Sequence, residues 1–321
     1  MSRLNNSFEE IREHIDSAEN IAVSGHISPD GDAVGSCCAL AMALVKKNKN
    51  VTVFLEEIQD KLKNIPYSDK LVHDTPNGEF DLFISLDCGD EGRLGKAAEL
   101  LKSTYTINID HHVSNTYFGN LNYVDGDASS TCELVYRLFD GWCSIDKNIA
   151  YALYTGILFD TGCFKHSSTS PFTMKIAGEL MTYNIPFTKI QEDMFYLRSQ
   201  TEVKLLSKAL KGLKFECNGR RAYSKLSLEE IEGCGGTPKD VDSIIPFIKN
   251  IDNVNAAAFF YEKKPGEIKT SLRSDEAVDV CEIAKKFGGG GHVRASGCTL
   301  FGAFDEVMPG VIDELKKALE V

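Results

Sequence analysis

Hydrophobic and polar positions along the first 160 residues follow two alternating periods. Short apolar runs at 21–23, 51–55, 80–86 and 105–109 are bounded by small or polar residues, and most are rich in β-branched or aromatic side chains, as buried strands require. Between and after them lie longer stretches. Residues 33–45, AVGSCCALAMALV, run too long for a strand and suit a buried helix. Residues 91–102, 128–139, 146–159 and 171–183 read as further helices, the last begun by Pro171. The polar amino-terminal segment has amphipathic spacing and a capping box of Ser7 with Glu10, which argues for a helix and against a signal peptide. Residues 58–79 are mixed and predict no element. Strands alternating with helices imply a parallel sheet with crossover connections, whose strand ends open on one edge.

After residue 186 the pattern changes. Charge rises and periodicity fades over 186–212. Short strands follow around KFEC and RAYSKLSL, then a helix near 238–250 and a hairpin, AAAFFYEKKPGEIKTSLRS, turning at Lys264, Pro265 and Gly266. A helix over 278–287, the glycine run GGGGHVRASG, the strand CTLF and a closing helix from Phe304 complete the chain. The expected architecture is α/β: a mainly parallel sheet domain flanked by helices (1–190), a connection (191–212) and a second, smaller α+β domain (213–321).

Composition narrows the function. A chain of 321 residues with 43% hydrophobic content can bury a large core and favours two domains. No apolar run approaches a membrane span. Ten cysteines without a C-x-x-C pair indicate neither a disulfide framework nor a zinc ribbon, so a reducing cytoplasm is the expected compartment. The formal charge of -12 argues against a protein that coats long nucleic acid by bulk electrostatics, yet permits a small anionic substrate held by a metal and a few arginines.

Candidate chemistry gathers where strands end. His26, Asp30 and Asp32 fall on the turn between the first strand and the long apolar helix, although Pro-Asp-Gly is also ordinary turn chemistry and Asp an ordinary helix N-cap. Asp87 follows the strand FDLFISL, Asp110, His111 and His112 follow YTINI, and Asp160 ends an apolar helix. Carboxylates and imidazoles without a thiolate favour hard or borderline divalent ions, Mn²⁺ first, then Co²⁺, Fe²⁺ and Mg²⁺. More ligands are present than one ion needs. Two ions about 3.5–4 Å apart would use them all and suit displacement at phosphorus.

The segments GHISPDGDAVGS, SLDCG, NIDHHVSN and GILFDTG resemble the four motifs of the DHH phosphoesterase superfamily, and FGGGGHVRASG resembles its carboxy-terminal DHHA1 motif. The resemblance covers nearly the whole chain, in order. It implies one metal held by His26, Asp30 and Asp87 and a second by Asp32, Asp87, His111 and Asp160, with Asp87 bridging. His112 would meet the phosphoryl oxygen or protonate the leaving group, and Asp110 would orient the histidine pair. The basic motif of family II pyrophosphatases is missing, as are the extra nucleic-acid module of RecJ exonucleases and the membrane segments of cyclic dinucleotide phosphodiesterases. What remains resembles the compact oligoribonucleases of the NrnA type, which also remove the 3'-phosphate of adenosine 3',5'-bisphosphate. A local departure is His166, where that branch often carries an aromatic or small residue.

In the glycine run, Gly289, Gly290 and Gly291 let backbone amides approach an anion, while His292 and Arg273 offer charge-assisted hydrogen bonds to phosphate. Arg294 is either a further phosphate contact or a surface residue. A flexible linker fits poorly, because the run lies between an apolar helix and a strand. The expected partners are short single-stranded RNA or DNA oligonucleotides, linear dinucleotides or nucleotide bisphosphates, without a membrane, and a homodimer is compatible. The competing readings are a nucleotide-binding regulator with reduced turnover and a pyrophosphate or polyphosphate hydrolase.

Overall fold

The computed structural model describes residues 5–319, which form two compact units meeting in sequence at Leu197 and Arg198. The first begins with α1 (Phe8–Ser17), capped by the reciprocal Ser7 and Glu10 hydrogen bonds its sequence predicts. Residues 1–4 of that predicted segment lie outside the described residues. Then come β1 (Asn20–Ser24), α2 (Gly31–Lys46), β2 (Asn50–Phe54), β3 (Leu82–Leu86), β4 (Tyr105–Asp110) and β5 (Leu121–Val124). Helices α3 (Thr131–Phe139), α4 (Lys147–Asp160), α5 (Pro171–Met181) and the short α6 (Phe187–Gln191) complete the unit.

All five strands run parallel in the order β2-β1-β3-β4-β5. The order reverses between β1 and β3, and in open α/β sheets the crevice outside the strand ends at such a reversal is where ligands bind. Alternation sorts the strand residues into two cores. Ile21, Val23, Ile84, Leu86, Ile107 and Ile109 join the helical core built on α2, α3 and α4, while Ala22 and Phe83 face a smaller cluster with Phe54, Leu94 and Leu100. Helices α2 and α4 approach so closely that a Cβ on Gly35 would stand 2.6 Å from the Ala152 carbonyl oxygen. The small residues of 33–45 permit this contact.

Two local expectations change. Residues 91–102 form 3₁₀ turns broken at Gly95, whose φ of 56° no continuous α-helix admits, and a Cβ there would lie 2.6 Å from Ile27. The short strand β5 had no apolar run to announce it.

The second unit holds α7 (Gln200–Lys211), β6 (Lys214–Glu216), β7 (Arg221–Leu226), α8 (Leu228–Gly233), α9 (Ile244–Lys249), β8 (Ala256–Lys264), β9 (Glu267–Ser274), α10 (Val280–Lys286), β10 (Gly290–His292), β11 (Ala295–Phe301) and α11 (Phe304–Leu319). Its six strands are ordered β10-β11-β9-β8-β7-β6 and are antiparallel except for β7 with β8. One apolar core includes residues of α10 and α11, the other residues of α7, α8 and α9. Part of the stretch expected to connect the domains is therefore helix: Ser199 caps α7, and Leu205 and Ala209 are buried. Charged residues on its exposed face hid the apolar stripe. No helix among the described residues is long and apolar enough to cross a membrane.

Candidate metal centre

His26 leaves β1 and Asp87 leaves β3, so the two stand at the reversal of strand order. The Asp87 backbone is held at φ 55°, a left-handed conformation that Asp tolerates better than most residues, while its N–H continues the ladder to the Ile109 carbonyl at 3.1 Å. The two oxygens of Asp87 face different histidines. Oδ2 lies 3.5 Å from His26 Nε2, and Oδ1 lies 3.5 Å from His111 Nε2.

Around this carboxylate the described residues form three overlapping groups, each with its ligand atoms within 4.8 Å of one another: His26, Asp30 and Asp87; Asp32, His111 and Asp160; and Asp87, His111 and His112. All the residues expected to ligate metal thus come together at one edge. His112, expected to meet substrate, also stands 3.7 Å from Asp87.

Neighbours fix these side chains. The Nδ1–H of His26 donates to the Ile27 carbonyl at 2.7 Å, since a carbonyl can only accept, and this aims Nε2 at Asp30 and Asp87. Asp30 caps α2, accepting from the Asp32 and Ala33 amides. Asp32, fully buried, accepts from the Thr131 and Cys132 amides at 2.6 and 2.9 Å, at the N-terminus of α3. The Thr131 hydroxyl donates to Asp87 Oδ1 at 3.1 Å. Asp110 accepts from His112 Nδ1 at 2.7 Å and from Asn115 at 2.6 Å. His166 donates through Nδ1 to the Asp160 carbonyl at 3.0 Å and lies over Gly162, where a Cβ would meet its ring at 2.4 Å. The residue that departs from the branch pattern therefore supports the end of α4.

Thr131 and Cys132 escaped the sequence reading, and Asn115, inside the segment NIDHHVSN, was given no role there although its side-chain amide donates to Asp110. A backbone amide carries no residue-type signal, although Ser130 and Glu133 form a capping signature that places a helix start there.

The electrostatics of the cluster ask for a cation. Burial and the nearby Asp87 and Asp160 charges push Asp32 well above the ordinary carboxylate range. Burial and Asp87 raise Asp160 to about 6 even though His111 opposes the shift. For His26, burial favours the neutral ring, but Asp30 and Asp87 outweigh it and raise the pKa to about 10. His111 is likewise raised to about 10 against its burial, by Asp160, Asp32 and Asp87. Hard oxygen donors, imidazole nitrogens and excess negative charge fit a divalent cation.

The expected phosphate-binding residues lie on the second unit's sheet. His292 pairs with Ala295, which pairs with Arg273, so Arg273 and His292 share one face across three strands. Arg273 is half-buried and donates to the Leu272 carbonyl, and burial lowers its pKa. The glycines divide. A Cβ on Gly289 would meet the Gly297 carbonyl at 2.2 Å and one on Gly291 the Ala295 carbonyl at 2.6 Å, whereas one on Gly290 would meet nothing within 4 Å. Arg294 makes an exposed ion pair with Glu276 at 3.0 Å.

Strand ends that gather Asp and His at the sheet reversal, followed by a second mixed-sheet unit, define a DHH-type protein. The DHH family N-terminal domain matches residues 20–157 and the DHHA1 domain residues 220–320, and the chain belongs to this family. Among its relatives is the Thermus thermophilus protein named bifunctional oligoribonuclease and PAP phosphatase NrnA, 31% identical over 93% of this chain and 91% of that protein. An exopolyphosphatase-related protein from Bacteroides fragilis superposes with a TM-score of 0.88 at 27% identity, over 98% of this chain and 95% of the other. The exonuclease RecJ bound to manganese shares the fold, with a TM-score of 0.55 at 14% identity over 99% and 94%.

Proposed function

We propose that this chain is a metal-dependent phosphodiesterase that hydrolyses short oligonucleotides or linear dinucleotides to mononucleotides and removes the 3'-phosphate of adenosine 3',5'-bisphosphate. The observation that carries the proposal is Asp87, one buried carboxylate whose two oxygens face two separate histidine and aspartate groups. The relative named for both activities supports the substrate class.

Two divalent cations, Mn²⁺ first, are held in this reading by His26, Asp30 and Asp87 and by Asp32, Asp87, His111 and Asp160. Bound there, they supply Lewis acidity toward a phosphoryl oxygen and toward water. The protein does the rest. Thr131 holds Asp32 through its amide and Asp87 through its hydroxyl, so the two carboxylates cannot rotate independently. Asp110 occupies His112 Nδ1 and raises the imidazole pKa, leaving Nε2 as the atom that holds a proton for the leaving group. Arg273, His292 and the exposed backbone of Gly290 and Gly291 bind the substrate phosphate and take no part in bond cleavage, whereas the Gly289 amide, expected to join them, donates to the Ala284 carbonyl at 2.9 Å.

Mononucleotide release from a dinucleotide, measured beside phosphate release from pyrophosphate and polyphosphate, both with Mn²⁺, tests the reading. Dinucleotide cleavage in clear preference is expected. Preferential release of inorganic phosphate from pyrophosphate or polyphosphate would replace this reading with the hydrolase one, and binding without turnover of any substrate would leave a regulator.

A further inference from the structure

The second unit contains a cavity of about 600 Å³ that neither the metal centre nor the glycine run uses. It lies among α7, β6, β7 and α11, at the β6 side of a sheet whose other edge strand is β10. Its volume falls in the range of small-molecule sites, roughly 300–1,000 Å³. In a chain of net charge -12, its lining carries Lys208, Lys211, Lys214 and Lys225 against Glu230 and Asp305 alone.

Two of the lysines are engaged. Lys208 stands 3.5 Å from Glu230, and Lys225 stands 3.4 Å from Asp305, both exposed pairs that contribute little and yield readily to a better anion. Lys211 and Lys214 have no carboxylate within 4 Å among the described residues, and Lys214 lies 5.9 Å from the centre of the Tyr223 ring. The remaining wall is apolar and partly aromatic, with Phe304, Met308 and Pro309 on α11. Lys225 Nζ lies 4.9 Å from the centre of the Phe304 ring, so each aromatic ring of the wall has an ammonium group beside it, and a ligand with a charged head and a flat body can use both.

We propose that this cavity is a second, non-catalytic site for a nucleoside phosphate. Lys211 and Lys214 hold the phosphate groups, and the base packs against Phe304 and Met308. The inference stands apart from the proposed activity, since every lining residue lies outside the residues assigned to catalysis or to substrate phosphate.

The test uses the full chain and adenosine 5'-(α,β-methylene)diphosphate, which resists hydrolysis, with hydrogen–deuterium exchange as a readout that locates binding. Protection is expected in peptides covering 204–214, 221–226 and 304–312. Lys211→Glu with Lys214→Glu, both exposed, should weaken that protection's concentration dependence at least tenfold, and Phe304→Ala several-fold. Initial rates on a dinucleotide without the mimic should stay at the wild-type value in the double variant. Protection confined to the metal-centre peptides or to 267–297 would overturn the proposal. So would equal protection by inorganic phosphate at the same concentration, since the site would then not recognise a base, or collapse of basal turnover in the double variant, which would make the lysines part of the catalytic apparatus.

Discussion

The edge of the first unit's sheet and the glycine hairpin of the second were both expected to carry chemistry, and they are built to opposite specifications. At the sheet edge Asp32, Asp87 and His26 are at most 5% exposed, and each is held by neighbouring backbone or hydroxyl groups. On the hairpin, Gly290, Gly291 and His292 are exposed, and Arg273, two strands away on β9, donates to the adjacent Leu272 carbonyl. Crowded like charges that are expensive to bury suit a fixed cation site whose geometry must not drift. An exposed strand beside a half-buried guanidinium suits a surface that meets an anion arriving from water. The proposed function places bond cleavage in the first region and capture in the second, and the following variants press on that division.

The largest effect belongs to Asp87→Ala. Both proposed ions lose a ligand, and turnover should fall on the order of 10⁴-fold, a rise in the barrier of about 5.4 kcal/mol at ~1.36 kcal/mol per tenfold. Wild-type rates at saturating Mn²⁺ would break the two-ion assignment. His112→Ala removes the proton-holding Nε2 and should lower kcat by about 10²–10³-fold with little change in KM. A change confined to KM would move His112 into the capture group.

Thr131→Val keeps the amide bond to Asp32 and deletes only the hydroxyl bond to Asp87. Metal affinity should weaken about 10–100-fold, as when an orienting partner of a ligand is lost. Unchanged affinity in a Mn²⁺ titration would mean that packing alone positions Asp87. The pH response follows from the two histidines raised to about 10. In the metal-free protein, a folded pKa above the unfolded 6.5 contributes stability that is complete below 6.5 and lost as pH rises through about 10. Cation binding must displace those protons, so apparent affinity should rise with pH up to that range, about tenfold per unit for each proton released. Calorimetry in buffers of different ionisation enthalpy would measure the protons, and a pH-independent affinity would show the imidazoles are not ligands.

The smallest effect sharpens the capture side. Gly290→Ala meets no atom within 4 Å, so stability should stay within about 0.5 kcal/mol while KM for a dinucleotide rises. An unchanged KM would remove the Gly290 backbone from the phosphate site.

Much of this was legible before the fold. Strand-end positions for Asp87 and for Asp110 to His112 follow from short apolar runs that stop at a polar cluster, and the parallel sheet follows from their alternation with helices. Three kinds of feature were not. The Thr131 and Cys132 amides act through backbone that every residue possesses. Residues 91–102 carry helical spacing, but Gly95 takes a left-handed φ that breaks the helix, and its missing side chain leaves room for Ile27. The four glycines look alike in sequence, yet close approach to β11 requires Gly289 and Gly291 and leaves Gly290 sterically free.

The central claim is that Asp87 joins two cation positions. Electron paramagnetic resonance of the Mn²⁺-loaded protein tests it most directly, with stoichiometry read from the same titration. The account predicts two Mn²⁺ per chain with the spectrum of an exchange-coupled pair, and loss of that coupling in Asp87→Ala. A single uncoupled Mn²⁺ per wild-type chain, or an unaltered coupled spectrum in the variant, would contradict it.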